Sequence, residues 1–173
     1  MLTLYLDEEI KKICPIEGIS VGRKNDKNTW KIDFASNATL EQIEAANTFV
    51  ENFDINNFLI LQAKKDKNLK IDEKTQQIIA QGFPFASKRF SLSQNAQTNW
   101  TNMYINKSIL SKPLTVTTND DEAFQLETES DIQNFYMTGL VYVQSIINSG
   151  RALKLSVNNC STLEEIENIV DER

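Results

Sequence analysis

One segment limits the folds open to this chain more than any other: the run Asp131 to Leu155, DIQNFYMTGLVYVQSIINSGRALKL. Ile132, Phe135, Gly139, Leu140, Val143, Ile146 and Ile147 recur every three or four residues, which predicts a helix with a wide apolar face. Such a face must be covered by other elements. Thr128, three residues before Asp131, has the spacing of an N-terminal cap, and Asp131 places negative charge at the positive end of the helix dipole. Losing a cap of this kind costs ~1 kcal/mol, whereas Phe135→Ala in a packed core costs roughly 3 to 5 kcal/mol. Packing, not capping, therefore decides this half of the chain. Gly139 has room for another element to approach, and Gly150 leaves open whether the helix continues or restarts.

The elements that precede it supply the cover. LTVTT alternates Leu114 and Val116 against Thr115 and Thr117, NDDE makes a turn, and AFQLE returns with Phe124 and Leu126 facing one way, which predicts a hairpin. Asn119, Asp120, Asp121 and Glu122 lack the spacing, the glycine and the terminal Glu of a calcium loop. Upstream, Ser91 and Gln94 have capping-box spacing ahead of a helix whose Leu92, Ala96, Trp100, Met103 and Leu110 share a face. Beside that face runs a ladder of Asn95, Asn99, Asn102 and Asn106. Asparagine is a poor helix former, so the ladder reads either as a solvated face or as a surface that meets a neighbouring subunit. Ser161 and Glu164 repeat the capping spacing before a short closing helix that is expected to fold back on the long one.

The N-terminal third has a core of its own. A short helix is expected over Asp7 to Ile13, then two strands around RKNDKN, with Trp30, Ile32 and Phe34 on one face. Thr39 and Gln42 form a capping box for a helix whose Leu40, Ile43, Ala46, Val50 and Phe53 make an apolar stripe. From Ile55 the pattern weakens. NNFLILQ reads as strand or buried helix, AKKDKN as a polar break, and EKTQQIIAQ as a helix stopped by a left-handed Gly82 and by Pro84. The expectation is an α+β fold: a hairpin-plus-helix module over 1–54, a basic connecting segment over 55–82, and a C-terminal, mainly helical domain with an inserted hairpin over 83–173.

Charge and residue usage bound the function. With 18 basic and 24 acidic residues, a net of −6, the chain is not built to track a phosphate backbone, so no nucleic-acid partner is expected. The basic residues concentrate between residues 55 and 89, either as a solvated linker or as a small positive patch. The chain has no histidine, which removes the commonest metal ligand and general base. Cys14 and Cys160 match no zinc or disulfide framework and read as small buried hydrophobes, with a bridge between them as the alternative. No phosphate loop, dinucleotide fingerprint or nucleophile elbow is present, and the acidic clusters fall at helix starts and turns. No cofactor, metal site or catalytic residue is expected. The opening MLTLYLDEEIKK is too short and acidic for a signal peptide and no run spans a membrane, so synthesis in a cytoplasm and no membrane partner are expected.

The segment GFPFASKRFSLSQNAQTNW, followed by LTVTTNDDEAFQL and a long helix ending in GRALK, resembles the C-terminal domain that recurs in small tail-region proteins of tailed double-stranded DNA phages. CPIEGISVGRKNDKNTWKIDFASNATLEQIEAANTFVENFD is similar to the N-terminal module often joined to it, in which a Trp-containing strand precedes an Ala-rich helix. The resemblance implies a non-enzymatic virion protein of the tail fibre, baseplate or neck, made in the host cytoplasm, present in several copies and contacting other tail or fibre proteins. An assembly chaperone absent from the finished particle is the alternative, and an enzyme acting at the host surface is the least favoured. Lys88, Arg89, Phe90, Ser91, Leu92 and Gln94 match the family's most recognisable segment, and Asn119, Asp120 and Asp121 its hairpin turn. Lys88 and Arg89, with Asn95, Asn99, Asn102 and Asn106, are the candidate partner contacts. A virion role also predicts exposed apolar side chains, Tyr5, Phe58 or Trp100 among them.

Overall fold

The computed structural model describes all residues from Met1 to Arg173 and shows an α+β fold of six helices and three separate two-stranded antiparallel hairpins. The chain divides into two compact units, Met1–Leu61 and Gln62–Arg173.

In the first unit, helix α1 (Leu2–Lys11) starts earlier than the expected Asp7, because Leu2, Leu6 and Ile10 complete a buried stripe that its N-terminal turn supplies. Strands β1 (Ile16–Val21) and β2 (Trp30–Phe34) pair with a register shift between Ile16 and Gly18. Trp30 is buried, and its indole N–H donates to the Arg23 carbonyl at 3.0 Å, so the ring's polar edge is satisfied. Helix α2 (Leu40–Asn52) has the reciprocal Thr39/Gln42 capping box. Leu40, assigned above to its apolar stripe, is 80% exposed, since it lies in the first turn ahead of the buried Ala46. Phe58 also departs from expectation: it is part of this core, at 4.9 Å from Tyr5 ring to ring, and offers no exposed patch.

The polar break expected at AKKDKN is absent. Helix α3 runs unbroken as Ile55–Ala80, and the boundary between the two units falls inside the segment expected to connect them. Contacts remote in sequence hold its polar middle. Lys64 donates to the Asn158 carbonyl at 2.7 Å, the Asn68 amide to the Asn158 side chain at 3.0 Å, and Lys154 pairs with Asp72 at 2.7 Å. Gly82 ends the helix at φ 77°, the left-handed position expected of it.

The second unit is built on helix α5 (Glu129–Asn159), which continues without a break through Gly150. Its Thr128/Asp131 capping box is formed on both sides. Against it lie two hairpins. Strands β3 (Phe83–Phe85) and β4 (Lys88–Phe90) were not foreseen as a hairpin; they turn through Ala86 and Ser87 at φ 46° and 63°. Strands β5 (Leu114–Thr117) and β6 (Ala123–Leu126) form the expected one. Phe83, Phe90 and Phe135 are fully buried and pack ring to ring, with Phe85, Trp100 and Phe124 around them at 4.9 to 6.3 Å. Gly139 gives the close approach anticipated: a Cβ there would stand 3.3 Å from the Phe83 ring.

Helix α4 (Gln94–Ile105) is capped by Ser93, whose hydroxyl accepts from the Ala96 amide at 3.2 Å, not by Ser91. The closing helix α6 (Leu163–Glu167) is likewise capped by Thr162 with Glu165, one residue beyond the expected pair. The C-terminal tail then folds back. Arg173 donates to the carbonyls of Ile71 and Ile146 and to the Thr75 hydroxyl at 3.1 to 3.3 Å, and pairs with Asp171 at 2.6 Å. That pairing holds the Asp171 carboxyl below its ordinary range. Cys14 and Cys160 are both free.

Candidate docking groove

The orientation of α4 is set from its buried side. Trp100 stands edge-on to Phe83 at 5.2 Å and to Phe135 at 5.1 Å, and Met103 is buried below it. The Gln97 side-chain amide donates to the Leu92 carbonyl at 2.7 Å and ties the helix start to the preceding loop. With that face anchored, Asn95, Asn99, Asn102 and Asn106 are all exposed on the other. Three of the four gather at one feature. Asn99, Asn102 and Asn106 form one wall of a surface groove of about 580 Å³, with Met103 and Leu110 on its floor and Leu114 to Thr117 of β5 as the other wall. Asn95 lies outside it.

No charged residue lines the groove, although the chain as a whole is 24% charged. Beyond Trp100 and Met103, its apolar surface comes from Ile109, Leu110, Leu114 and Val116; Ile109 is 80% exposed. The lining contains amides, hydroxyls and hydrocarbon, and no carboxylate, amine or thiol.

Four consecutive residues of β5 meet the groove, so the groove runs along the strand's edge and not across one face. The register shows what that edge presents. The Thr118 amide donates to the Glu122 carbonyl at 2.9 Å, which makes Thr118 and Glu122 a hydrogen-bonded pair. Alternation down an antiparallel ladder then gives the same status to Val116/Phe124 and Leu114/Leu126. The N–H and C=O groups of Thr115 and Thr117 therefore point away from β6, to the free edge. No main-chain bond from outside the hairpin reaches either residue. Neither threonine was singled out from the sequence; only the alternation of LTVTT, combined with a knowledge of which side β6 occupies, could have found them.

Lys88 and Arg89 are placed differently. Lys88 pairs with Glu122, and that hydrogen bond raises its pKa above the ordinary lysine value. Arg89 donates to the Gly82 carbonyl at 2.9 Å, covering the last turn of α3, while its own carbonyl accepts from the Asn119 amide at 2.8 Å. The Asn119 side chain donates to the Gln81 carbonyl at 3.1 Å. The most recognisable segment and the hairpin turn thus bind each other and the end of α3. The structure brings neither Lys88 nor Arg89 to the groove. Asp120, Asp121 and Glu127, at the two ends of the β5–β6 hairpin, are exposed and make no ion pair.

A smaller cavity of about 90 Å³ opens between α4 and α5 beside Leu92, Trp100, Tyr136 and Leu140. No group of three or more Cys, Asp or Glu side chains is placed to hold a metal ion. No helix is long and apolar enough to cross a membrane.

No curated protein and no solved structure matches the chain. A family model does match it, over residues 62–171, which begins where the second unit begins and takes in all of the groove. With more than half of its length covered, the chain belongs to the family described as Domain of unknown function (DUF4376).

Proposed function

We propose that the chain is a non-enzymatic structural protein of the tail region of a tailed phage particle, acting by contact with other tail or fibre proteins. The observation that carries this mode of action is the groove between α4 and β5: an open, apolar, uncharged trough with an unpaired strand edge on one side and an amide ladder on the other. Apolar surface of this kind rimmed by polar groups is typical of protein contact sites. Its lining offers no acid, base or nucleophile pair for catalysis. The tail setting is supported by the resemblance of the segments around Lys88 to Trp100 and Leu114 to Leu126.

Quantitative mass spectrometry of purified infectious particles tests the reading. Recovery of peptides from this chain at a fixed ratio to a known tail protein is the expected result. Abundance in infected cells with absence from particles would replace it with an assembly chaperone.

A further inference from the structure

The chemistry of the groove defines its occupant more narrowly, and the inference below rests on reading the groove as a contact surface, though not on the phage setting. We propose that an extended segment of a partner protein lies in the groove as a third strand on the free edge of β5, with an uncharged, alternating core and basic residues at its ends.

The unpaired N–H and C=O groups of Thr115 and Thr117 carry the argument. They present two donors and two acceptors at strand spacing, a pattern that a helix or a globular surface cannot match but an extended backbone does. An edge strand left open in this way is a template for pairing unless charge, a bulge or a cover blunts it. β5 has none of these: it reads Leu, Thr, Val, Thr, with no charge or proline inside it and an unshifted register to β6. The opposite wall is equally suited to a backbone, since Asn99 and Asn102 offer amides that both donate and accept.

Charge decides between kinds of strand. A charged side chain in the core of the segment would be desolvated without a partner, because the lining has no charge to offer. At the ends the situation reverses. Asp120 and Asp121 follow Thr117 by three and four residues, where the neighbouring Lys88 is already held by Glu122. Glu127 follows Leu126, opposite Leu114, where Lys112 is held by Glu129 at 3.5 Å. The three acids are in no salt bridge, so each end carries an excess of acid. Basic residues flanking the core complement them. A second copy of this chain has a strand of the right pattern, but it arrives with a net charge of −6 at an edge whose ends carry more acid than base.

The probe is the synthetic peptide acetyl-KTVTVTK-amide, N-methylated at alternate positions so that only one of its edges can pair. The readout is amide hydrogen exchange of the full, isotope-labelled chain, resolved by residue. At a free peptide concentration about ten times its dissociation constant, the Thr115 and Thr117 amides should exchange about tenfold more slowly, while those of Val116 and Phe124, already in the ladder, change little. The same peptide methylated on both edges should protect neither. Thr117→Pro, which removes an outward amide that the hairpin does not use, should weaken binding about tenfold. Unchanged exchange at Thr115 and Thr117 at millimolar peptide, or equal protection by the doubly methylated peptide, overturns the proposal. So does protection of those amides in the chain alone that grows with its concentration, which would give the edge to a second copy. None of these outcomes bears on whether particles contain the protein.

Discussion

The two hairpins of the second unit have the same architecture and opposite treatment. In β3–β4 both ends of the motif are closed: Phe83 and Phe90 are fully buried, Arg89 is bound to the end of α3, and Lys88 is held by Glu122. In β5–β6 only one side is closed. Leu126 is buried against the aromatic cluster, while the outer edge of β5 faces an open groove. The difference shows which side chains hold the fold together and which surface is left open. Of the residues that stand out in the sequence, KRF belongs to the closed hairpin and Asn119 to its clasp, while Asp120 and Asp121 stay exposed in the β5–β6 turn. The quieter LTVT carries the free edge.

The largest expected effect is on the closed side. Phe90→Ala empties a fully buried site in contact with Phe83, Phe124 and Phe135, and should lower stability by roughly 3 to 5 kcal/mol. Denaturant unfolding at fixed pH measures it. Asn102→Ala, on the open side, should change stability by no more than about 0.5 kcal/mol. A large loss from Asn102→Ala would break the comparison by showing that the ladder supports the fold.

Next in size is Arg89→Ala. It removes charge-assisted donors from the Gly82 and Gln81 carbonyls at the end of α3, at 2.9 and 3.4 Å. The side chain is largely solvent-facing, so the expected loss is about 1 kcal/mol, below what a hydrogen bond to a charged group contributes when shielded from water. Exchange should quicken at the C-terminal turn of α3 and not along β5. Faster exchange in β5 as well would show that the two hairpins are coupled.

A smaller effect, of opposite sign, comes from the β3–β4 turn. Ala86 and Ser87 both have positive φ, where an L side chain is strained and glycine is not. Ser87→Gly should raise stability by up to about 1 kcal/mol, read as a higher denaturant midpoint. A fall would mean that the serine side chain contributes something the turn geometry does not reveal.

That turn also explains why this hairpin was illegible in the sequence. Two-residue turns are recognised by Asn-Gly or Asp-Gly, and Ala-Ser gives no such signal; here the burial of Phe83 and Phe90 overrides local preference. Signals that are local and reciprocal, the Thr39/Gln42 and Thr128/Asp131 boxes and the LTVTT alternation, were read at their true positions. Where two candidate caps adjoin, as in SLSQ and STLEE, spacing alone could not choose, and Ser93 and Thr162 took the role. The polar centre of α3 was missed because its support comes from Asn158 and Lys154, more than eighty residues away. The asparagine ladder was visible as a stripe. That three of its members face a strand edge depends on how α4 packs beside β5, which no short-range pattern encodes.

The smallest effect decides how completely Lys88 is committed to the closed side. Its contact with Glu122 raises its pKa above the ordinary 10.5. A raised folded-state value means that the contribution is fully present below the unfolded lysine value and fades as pH rises through the folded one. Both groups are well exposed, so the contribution is small and screened by salt. Wild type and Lys88→Met, unfolded in denaturant at pH 8 and again at pH 11, should therefore differ slightly at the lower pH and by less at the higher. Parallel behaviour at both pH values would mean that Lys88 is not held by Glu122 in solution. It would then be a free cation beside the turn that follows β5, and would return to the set of residues able to meet a partner.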